Sequence, residues 1–318
     1  MKKFLVLLFI FSCGSLTAQN YYYSLNKIEE TPPDNVTVIS NVDELIAGLK
    51  SGGNLYLKAG NYKLNNTLYL YDIINLKVAG AEGAVITGSL ETLLHFRGTT
   101  NNISFDNISF ESTSNQTNAD YGPGIVYFDG SVENISIANC NFTCPGVASN
   151  ALKFAAYQSS RSKNITIYKC NFYDIGRMAI ETVNHHPDDI LRITDIKVTE
   201  CNFERLGLQS PFGMAVSLSG TGQNAIISNN VIFDANDIGI ENVAWNNVLV
   251  ENNTFSSERN VYDPISMNRR AGGSKFMTNV IIIRNSGRVS GAGSHLIELN
   301  NCDGLVYKKI PSMLMLFI

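Results

Sequence analysis

Charge is scarce in this chain: of 318 residues only 16% are Asp, Glu, Lys or Arg. Basic residues are also outnumbered, 24 against 28, and the pI is about 5.6, so a binder of nucleic-acid phosphates is a poor reading. There are 8 Pro and a single Trp. Beyond residue 11 no apolar run reaches the length of a membrane-spanning helix. Disorder is excluded from the opposite direction, because hydrophobic residues make up 44% of the chain and the mean hydropathy is zero. What the chain has in excess is 37 Asn and 25 Gly, a composition for many turns and side-chain ladders rather than long helices.

The first residues have the layout of an export leader. Lys2 and Lys3 precede an apolar run over 4–11, followed by small and polar residues to Gln19. Cleavage after Ala18 is expected, with 19–34 as a linker. Ile10-Phe-Ser-Cys13 offers an alternative, a lipoprotein signal with Cys13 as the lipid attachment site. Either way the chain is expected to be exported: periplasmic, extracellular or on the outer surface.

One phrase recurs: Asn134-Ile-Ser-Ile-Ala-Asn-Cys-Asn-Phe142, Asn164-Ile-Thr-Ile-Tyr-Lys-Cys-Asn-Phe172 and Asp195-Ile-Lys-Val-Thr-Glu-Cys-Asn-Phe203. Weaker copies begin at Asn75, Asn102, Asn224, Asn247, Asn279 and Gly304, with Asn230, Asn253 and Asn285 in place of Cys. Successive first apolar residues (Leu76, Ile103, Ile135, Ile165, Ile196, Ala225, Val248, Val280, Leu305) lie 23 to 32 residues apart, the periodicity of a solenoid. Within each copy the apolar residues alternate and are mostly β-branched, so the unit is a short strand with one face inward. Leucine-rich repeats need a different signature, and propeller blades need a longer unit.

With these repeats the chain resembles the secreted right-handed parallel β-helix proteins, the broad group of pectate lyases, polygalacturonases and chondroitinase B and alginate lyase-like enzymes. The resemblance covers about 35–307. Asn41-Val-Asp-Glu-Leu-Ile-Ala-Gly-Leu-Lys50 and the strand-like Gly52-Gly-Asn-Leu-Tyr-Leu-Lys-Ala-Gly-Asn-Tyr62 are similar to the opening of the chondroitinase B and alginate lyase-like group. The resemblance implies an all-β, single-stranded right-handed parallel β-helix over 35–310, with about nine coils and an amino-terminal capping helix. An apolar tail follows at 311–318. A helix over 42–50 is physically sensible: Asn41 can cap it, Asp43 and Glu44 suit its positive end, and Leu45 with Leu49 forms an apolar face.

Cys140, Cys170 and Cys201 share one repeat position beside inward-facing residues, so a column of buried free thiols continued by Asn amides is expected. Metal chemistry is not expected of it, since thiols in one column do not converge tetrahedrally.

A second strand follows in each coil: Val126-Tyr-Phe128, Leu152-Lys-Phe154, Ile180-Glu-Thr182, Val216-Ser-Leu218, Ile240-Glu-Asn242, Ile265-Ser-Met267 and Ile297-Glu-Leu299. Apolar flanks turn the middle residues outward, giving an exposed column of Tyr127, Lys153, Glu181, Ser217, Glu241, Ser266 and Glu298. Such a strip matches a linear polymer laid across the coils. Glu181 and Glu241, two coils and about 9.6 Å apart, have the spacing of an acid and base separated by a water. Lys153 beside Glu181 forms an ion pair or acts as a base. Tyr127, Ser217 and Glu298 are expected to line the substrate, joined from loops by His185, Arg269 and Arg270. Arg177, Arg192 and His186 lie in loops within reach, and 258–275 is long enough to wall a groove.

The loop Asn184-His-His-Pro-Asp-Asp189 is the densest titratable group, but plain surface turns share its composition. No cofactor is expected; calcium stays open without a cluster of Asp to hold it. The signature motifs of the polygalacturonases are absent, and no surrounding motif fixes which Lys and Arg would match the chondroitinase B-like pair. Two functions follow: an exported polysaccharide lyase or glycoside hydrolase, or a non-catalytic glycan-binding or cell-surface β-helix. In either case the partner is a polysaccharide or oligosaccharide and the chain is expected to be a monomer.

Overall fold

In the computed structural model the described residues are 35–116, 122–157, 159–184, 190–258, 262–268, 277–288, 297–300 and 306–307. The expected leader with Cys13, the expected linker and the apolar tail lie outside them. The first strand, Thr37–Ile39, is followed by a helix at Val42–Ser51. Asn41 caps the helix, its side-chain oxygen accepting from the Glu44 amide, and Leu45 and Leu49 are buried in the common core.

From Gly53 onward the chain is a succession of strands, and every recorded pairing between them is parallel. Parallel neighbours one turn apart form a coil, and equivalent positions on successive coils sit about 4.8 Å apart. Three ladders result. The first carries the repeated phrase: Leu76 faces Ile103, which faces Ile135, then Ile165, Ile196, Ala225, Val248 and Val280. These are the residues that the spacing of the phrase aligns, in the same register. The second is a sheet of nine short strands from Gly60–Lys63 to Ser286–Arg288. The third begins at Leu68–Tyr71 and runs through Asn150–Ala156, Ile180–Asn184, Val216–Ser219, Ile238–Asn242 and Asp263–Asn268 to Ile297–Asn300. The long strands Leu94–Asp106 and Gly124–Ala138 serve the first and third ladders at once.

The repeated Asn has a conformational cause. Asn75, Asn102, Asn134, Asn164, Asp195, Asn224, Asn247 and Asn279 all have φ between 54° and 64°, the left-handed region that Asn and Asp tolerate best among residues with a side chain. Each kinks its strand at the same place in the coil. Their amides also ladder outside, Asn102 Nδ2 donating to Asn75 Oδ1 and Asn164 Nδ2 to Asn134 Oδ1, both at 2.6 Å.

Inside, like stacks on like. Phe110, Phe142, Phe172 and Phe203 stack face to face with centroids 4.9 to 5.1 Å apart. Cys140, Cys144, Cys170 and Cys201 are buried free thiols, and burial pushes the Cys144 thiol up to about 12. The Cys column passes into Asn as expected. Asn230 Oδ1 accepts from the Cys201 amide, and Asn253 Oδ1 accepts from both the amide and the side chain of Asn230. Asn285 repeats this on Asn253, while the Nδ2 of Asn253 also donates to the Ile227 carbonyl.

Truncating Asn253 strands buried groups on both neighbouring coils, each costing about 1–3 kcal/mol. Asn253→Ala should therefore lower the unfolding free energy by at least about 3 kcal/mol, read as a lower urea midpoint at unchanged slope. A loss below about 1 kcal/mol would remove this ladder as a determinant of stability.

Candidate functional site

The outward column has the predicted register. Tyr127 faces Lys153, Lys153 faces Glu181, and Ser217, Glu241, Ser266 and Glu298 follow one per strand. Its inward flanks Leu152, Phe154, Ile180, Val216, Leu218 and Ile240 are all buried, which is why the middle residues point away from the core.

The expectation of an exposed column fails at its centre. Lys153 is 4% exposed and Glu181 6%, and Ser217 and Ser266 are buried outright. Neighbouring turns close over these side chains. Lys153 Nζ donates to the Gly122 carbonyl at 3.1 Å, and a β-carbon on Gly122 would stand only 2.5 Å from Cδ of Arg177. Glycine at 122 is what lets that turn come so near. The supposed wall at 258–275 is also not one loop, because Asp263–Asn268 within it is a strand of the third ladder.

At this buried centre Glu181 gathers donors on one oxygen. Lys153 Nζ lies 2.9 Å from Oε2, Arg177 Nη1 3.2 Å, and Asn150 Nδ2 donates to the same atom at 2.7 Å. Arg177 also donates to Asn150 Oδ1 and packs its guanidinium 5.6 Å from the centroid of Phe212. Two cations thus share one carboxylate, leaving a net positive charge in a nearly dry place. Glu181 is thus the acceptor that holds both side chains in place.

Glu241 differs. Ser217 Oγ donates to its Oε2 at 2.6 Å, but burial pushes its pKa upward, helped by the charges of Asp237 and Glu181. Asp237 is raised as well, by burial first and then by Asp263. The column therefore passes from a cationic centre to a carboxyl that retains its proton to higher pH.

Two residues of the column were missed in the sequence. Tyr69 faces His95, and His95 faces Tyr127, extending it toward the amino terminus. Tyr127 is therefore joined in the column by two further rings. Leu68-Tyr-Leu70 and Leu94-His-Phe96 have the same apolar flanks as Val126-Tyr-Phe128, and that pattern was the available signal. His95 stacks on Tyr127 at 4.5 Å, with Nε2 3.4 Å from Asp129 Oδ2. The hydroxyls of Tyr127 and Tyr157 lie 3.2 Å apart, and burial raises the pKa of Tyr127, keeping it a phenol. Arg192 turns elsewhere, donating to the Ser159 carbonyl. His185, His186, Arg269 and Arg270 lie outside the described residues, as does the side chain of Glu298. Among the described residues, no group of three or more His, Cys, Asp or Glu is arranged to hold a metal ion.

No family model matches this sequence, and no curated protein is similar to it. Solved structures are similar in fold. A mutant of the PL6 family alginate lyase AlyGC superposes with a TM-score of 0.50 at 16% identity, over 85% of this chain and 39% of the lyase. The Geobacillus virus E2 protein ORF18 gives 0.48 at 12% identity over 77% of this chain, which spans about half (52%) of that protein. The A-module of the Azotobacter vinelandii mannuronan C-5 epimerase AlgE4 gives 0.39 at 14%, over 85% of this chain and 100% of the module. The chain is thus a right-handed parallel β-helix.

Removing Glu181 strands two buried cations, whereas removing Lys153 leaves Glu181 with Arg177 and Asn150. Glu181→Gln should cost about 3–5 kcal/mol in urea unfolding, and Lys153→Met clearly less; the reverse order would refute the shared-carboxylate arrangement. A carboxyl whose pKa is raised in the fold adds stability below the ordinary value of 4.5 and loses it as pH rises through the folded value. The wild type should lose stability across that interval, and Glu241→Gln should lose less, with the residue due to Asp237. Identical pH profiles would show that Glu241 titrates normally.

Proposed function

We propose that this chain is an exported carbohydrate-active β-helix enzyme that cleaves an acidic polysaccharide. The observation that carries this reading is the outward column itself, where a buried, net positive cluster of Lys153, Arg177 and Glu181 stands two strands from a carboxyl of raised pKa. Cations in a nearly dry site attract a sugar carboxylate far more strongly than they would in water. Lys153 and Arg177 hold the substrate's charge, Glu181 holds them, and Glu241 supplies the proton to the departing glycosidic oxygen. A linear polymer laid across the coils would run along the column, with the half-buried Tyr127 and Glu241 on either side of the cluster. The solved structures of similar fold include proteins named as an alginate lyase and a mannuronan epimerase, which supports a glycan partner.

Elimination is favoured by the cationic centre: neutralising a uronate carboxylate eases transfer of the C5 proton to the Glu181 carboxylate, the C4–C5 double bond forms as the C4–O bond breaks, and the departing oxygen takes the proton of Glu241. Hydrolysis by Glu181 and Glu241 is the second reading, supported by their shared column with only Ser217 between. An export leader cleaved after Ala18, or a lipid on Cys13, would bring the chain to extracellular glycan. Among the described residues no helix is long and apolar enough to cross a membrane.

Incubation with a panel of acidic and neutral polysaccharides, following reducing ends and unsaturated-uronate absorbance together, tests the proposal. Both signals rising on an acidic polymer is the expected result, and reducing ends alone would mean hydrolysis. Glu241→Gln should fold normally and lose about 100-fold in rate. Near-full activity in that variant removes Glu241 from the reaction, and retention of glycan without either signal leaves a non-catalytic binder.

A further inference from the structure

The column continues past the proposed reaction centre toward the amino terminus, and there its character changes. Tyr69 is 48% exposed and Tyr71, two residues on in the same strand, is 58% exposed. Tyr69 and His95 have ring centroids 5.3 Å apart, and His95 stacks on Tyr127 at 4.5 Å. Beside them runs a second row in which Tyr71 faces Arg97 and Arg97 faces Asp129. Arg97 lies 5.9 Å from the centroid of Tyr71, and its Nε is 3.7 Å from Asp129, which also approaches His95. The rings are therefore fixed by one another and by an ion pair before any ligand arrives.

The outward column of the first ladder provides the contrast. On the coils that carry Tyr69 to Glu181 its residues are the polar Lys77, Ser104, Ser136, Thr166 and Lys197, and only beyond them does it turn apolar at Ile226, Leu249 and Ile281. Exposed aromatic rings cost solvation, and the strongly exposed ones among the described residues are Tyr69, Tyr71, Tyr157 and Phe212. All four lie on the functional face: the two tyrosines of Leu68–Tyr71, Tyr157 at the hydroxyl of Tyr127, and Phe212 against Arg177. Exposed aliphatic side chains such as Ile74, Ile226 and Val231 lie elsewhere, but the exposed rings are confined to this face, where flat apolar surface suits a sugar.

We propose that Tyr69, Tyr71, His95 and Arg97 form a binding platform for an acidic polysaccharide, gripping sugars several rings away from the bond that is cleaved. Four strand steps separate Tyr69 from Glu181, roughly 19 Å at the spacing of paired strands. The tyrosine rings supply apolar surface to sugar C–H faces, and the exposed guanidinium of Arg97 supplies a partner for a sugar carboxylate. A chain too short to reach from the reaction centre to Tyr69 forgoes these contacts, so the protein selects polymers and cleaves within them. This deepens the cleavage reading and rests on it for the reaction, but the binding itself is measurable without catalysis.

Retardation of the full-length protein in gels containing alginate or polygalacturonate, with the corresponding trimers as soluble competitors, tests the platform. The wild type should be retarded by at least one polymer and poorly displaced by its trimer. The double variant Tyr69→Ala, Tyr71→Ala, at exposed positions that leave the circular dichroism unchanged, should bind that polymer at least tenfold more weakly. Lys77→Ala with Lys197→Ala, on the other face, should be retarded like the wild type. The platform is overturned if neither polymer retards the wild type, if the tyrosine variant binds as the wild type does, or if the lysine variant loses as much. Retardation through Tyr69 and Tyr71 without any cleavage would sink the proposed reaction and leave the platform standing. Cleavage with normal binding by the tyrosine variant would do the opposite.

Discussion

Parallel pairing in strict register is the constraint on which everything else in this molecule depends. Because each coil hydrogen-bonds to the next along three ladders, every side chain meets its own equivalent about 4.8 Å away. A residue suitable at one position must therefore also be suitable as its own neighbour. Phe stacked on Phe satisfies this, and so does Asn, whose amide is both donor and acceptor. Asn253 illustrates it, accepting from the coil before and donating to the coil after. Left-handed Asn at the strand kink is the backbone form of the same rule.

Charged groups satisfy the register badly, and the outward column shows how the conflict is resolved. Like charges one strand apart would repel, while unlike charges in a buried strip must offset a desolvation cost of several kcal/mol per ion. Lys153 and Glu181 face each other across one step, and Arg177 comes from the turn just before Glu181 rather than from the column. That third charge leaves the centre unbalanced. A purely structural pair would need only Lys153 and Glu181, so Arg177 is the feature that separates a site from a satisfied ion pair. Glu241, one strand beyond Ser217, has a serine hydroxyl instead of a cation and keeps its proton to higher pH.

How much of this was legible follows from the same register. The phrase around Ile135, Ile165 and Ile196 aligns the first ladder, and the apolar flanks of Tyr127, Lys153, Glu181 and Ser217 align the third, although the stretch of chain between the two ladders varies from coil to coil. Tyr69 and His95 escaped because the early coils carry the phrase weakly, and their strands show only a pair of apolar flanks. Burial of the column was illegible for a different reason. Register places residues on a ladder, but the turns that close over it, such as the one at Gly122, differ in length and sequence from coil to coil. Arg177 sits in such a turn, so no periodicity announces that it reaches Glu181.

The long axis gives this site a polarity that a compact pocket lacks. From Tyr69 to Glu241 the column passes through exposed rings, then a dry cationic centre, then a carboxyl surrounded by other carboxyls. A uniform polymer laid along it meets a different environment at each sugar, although the backbone beneath is the same coil repeated. Catalysis needs such a difference, because interactions that grip every sugar equally bind the ground state as well as the transition state and do not raise the rate. On the proposed reading the aromatic end would supply grip remote from the reacting bond, and the buried end would concentrate charge where a proton and a carboxylate must be handled. If the chain cleaves a polymer there, separating the two along one ladder would let binding energy from remote rings hold a reacting sugar against a desolvated centre that would otherwise admit it poorly.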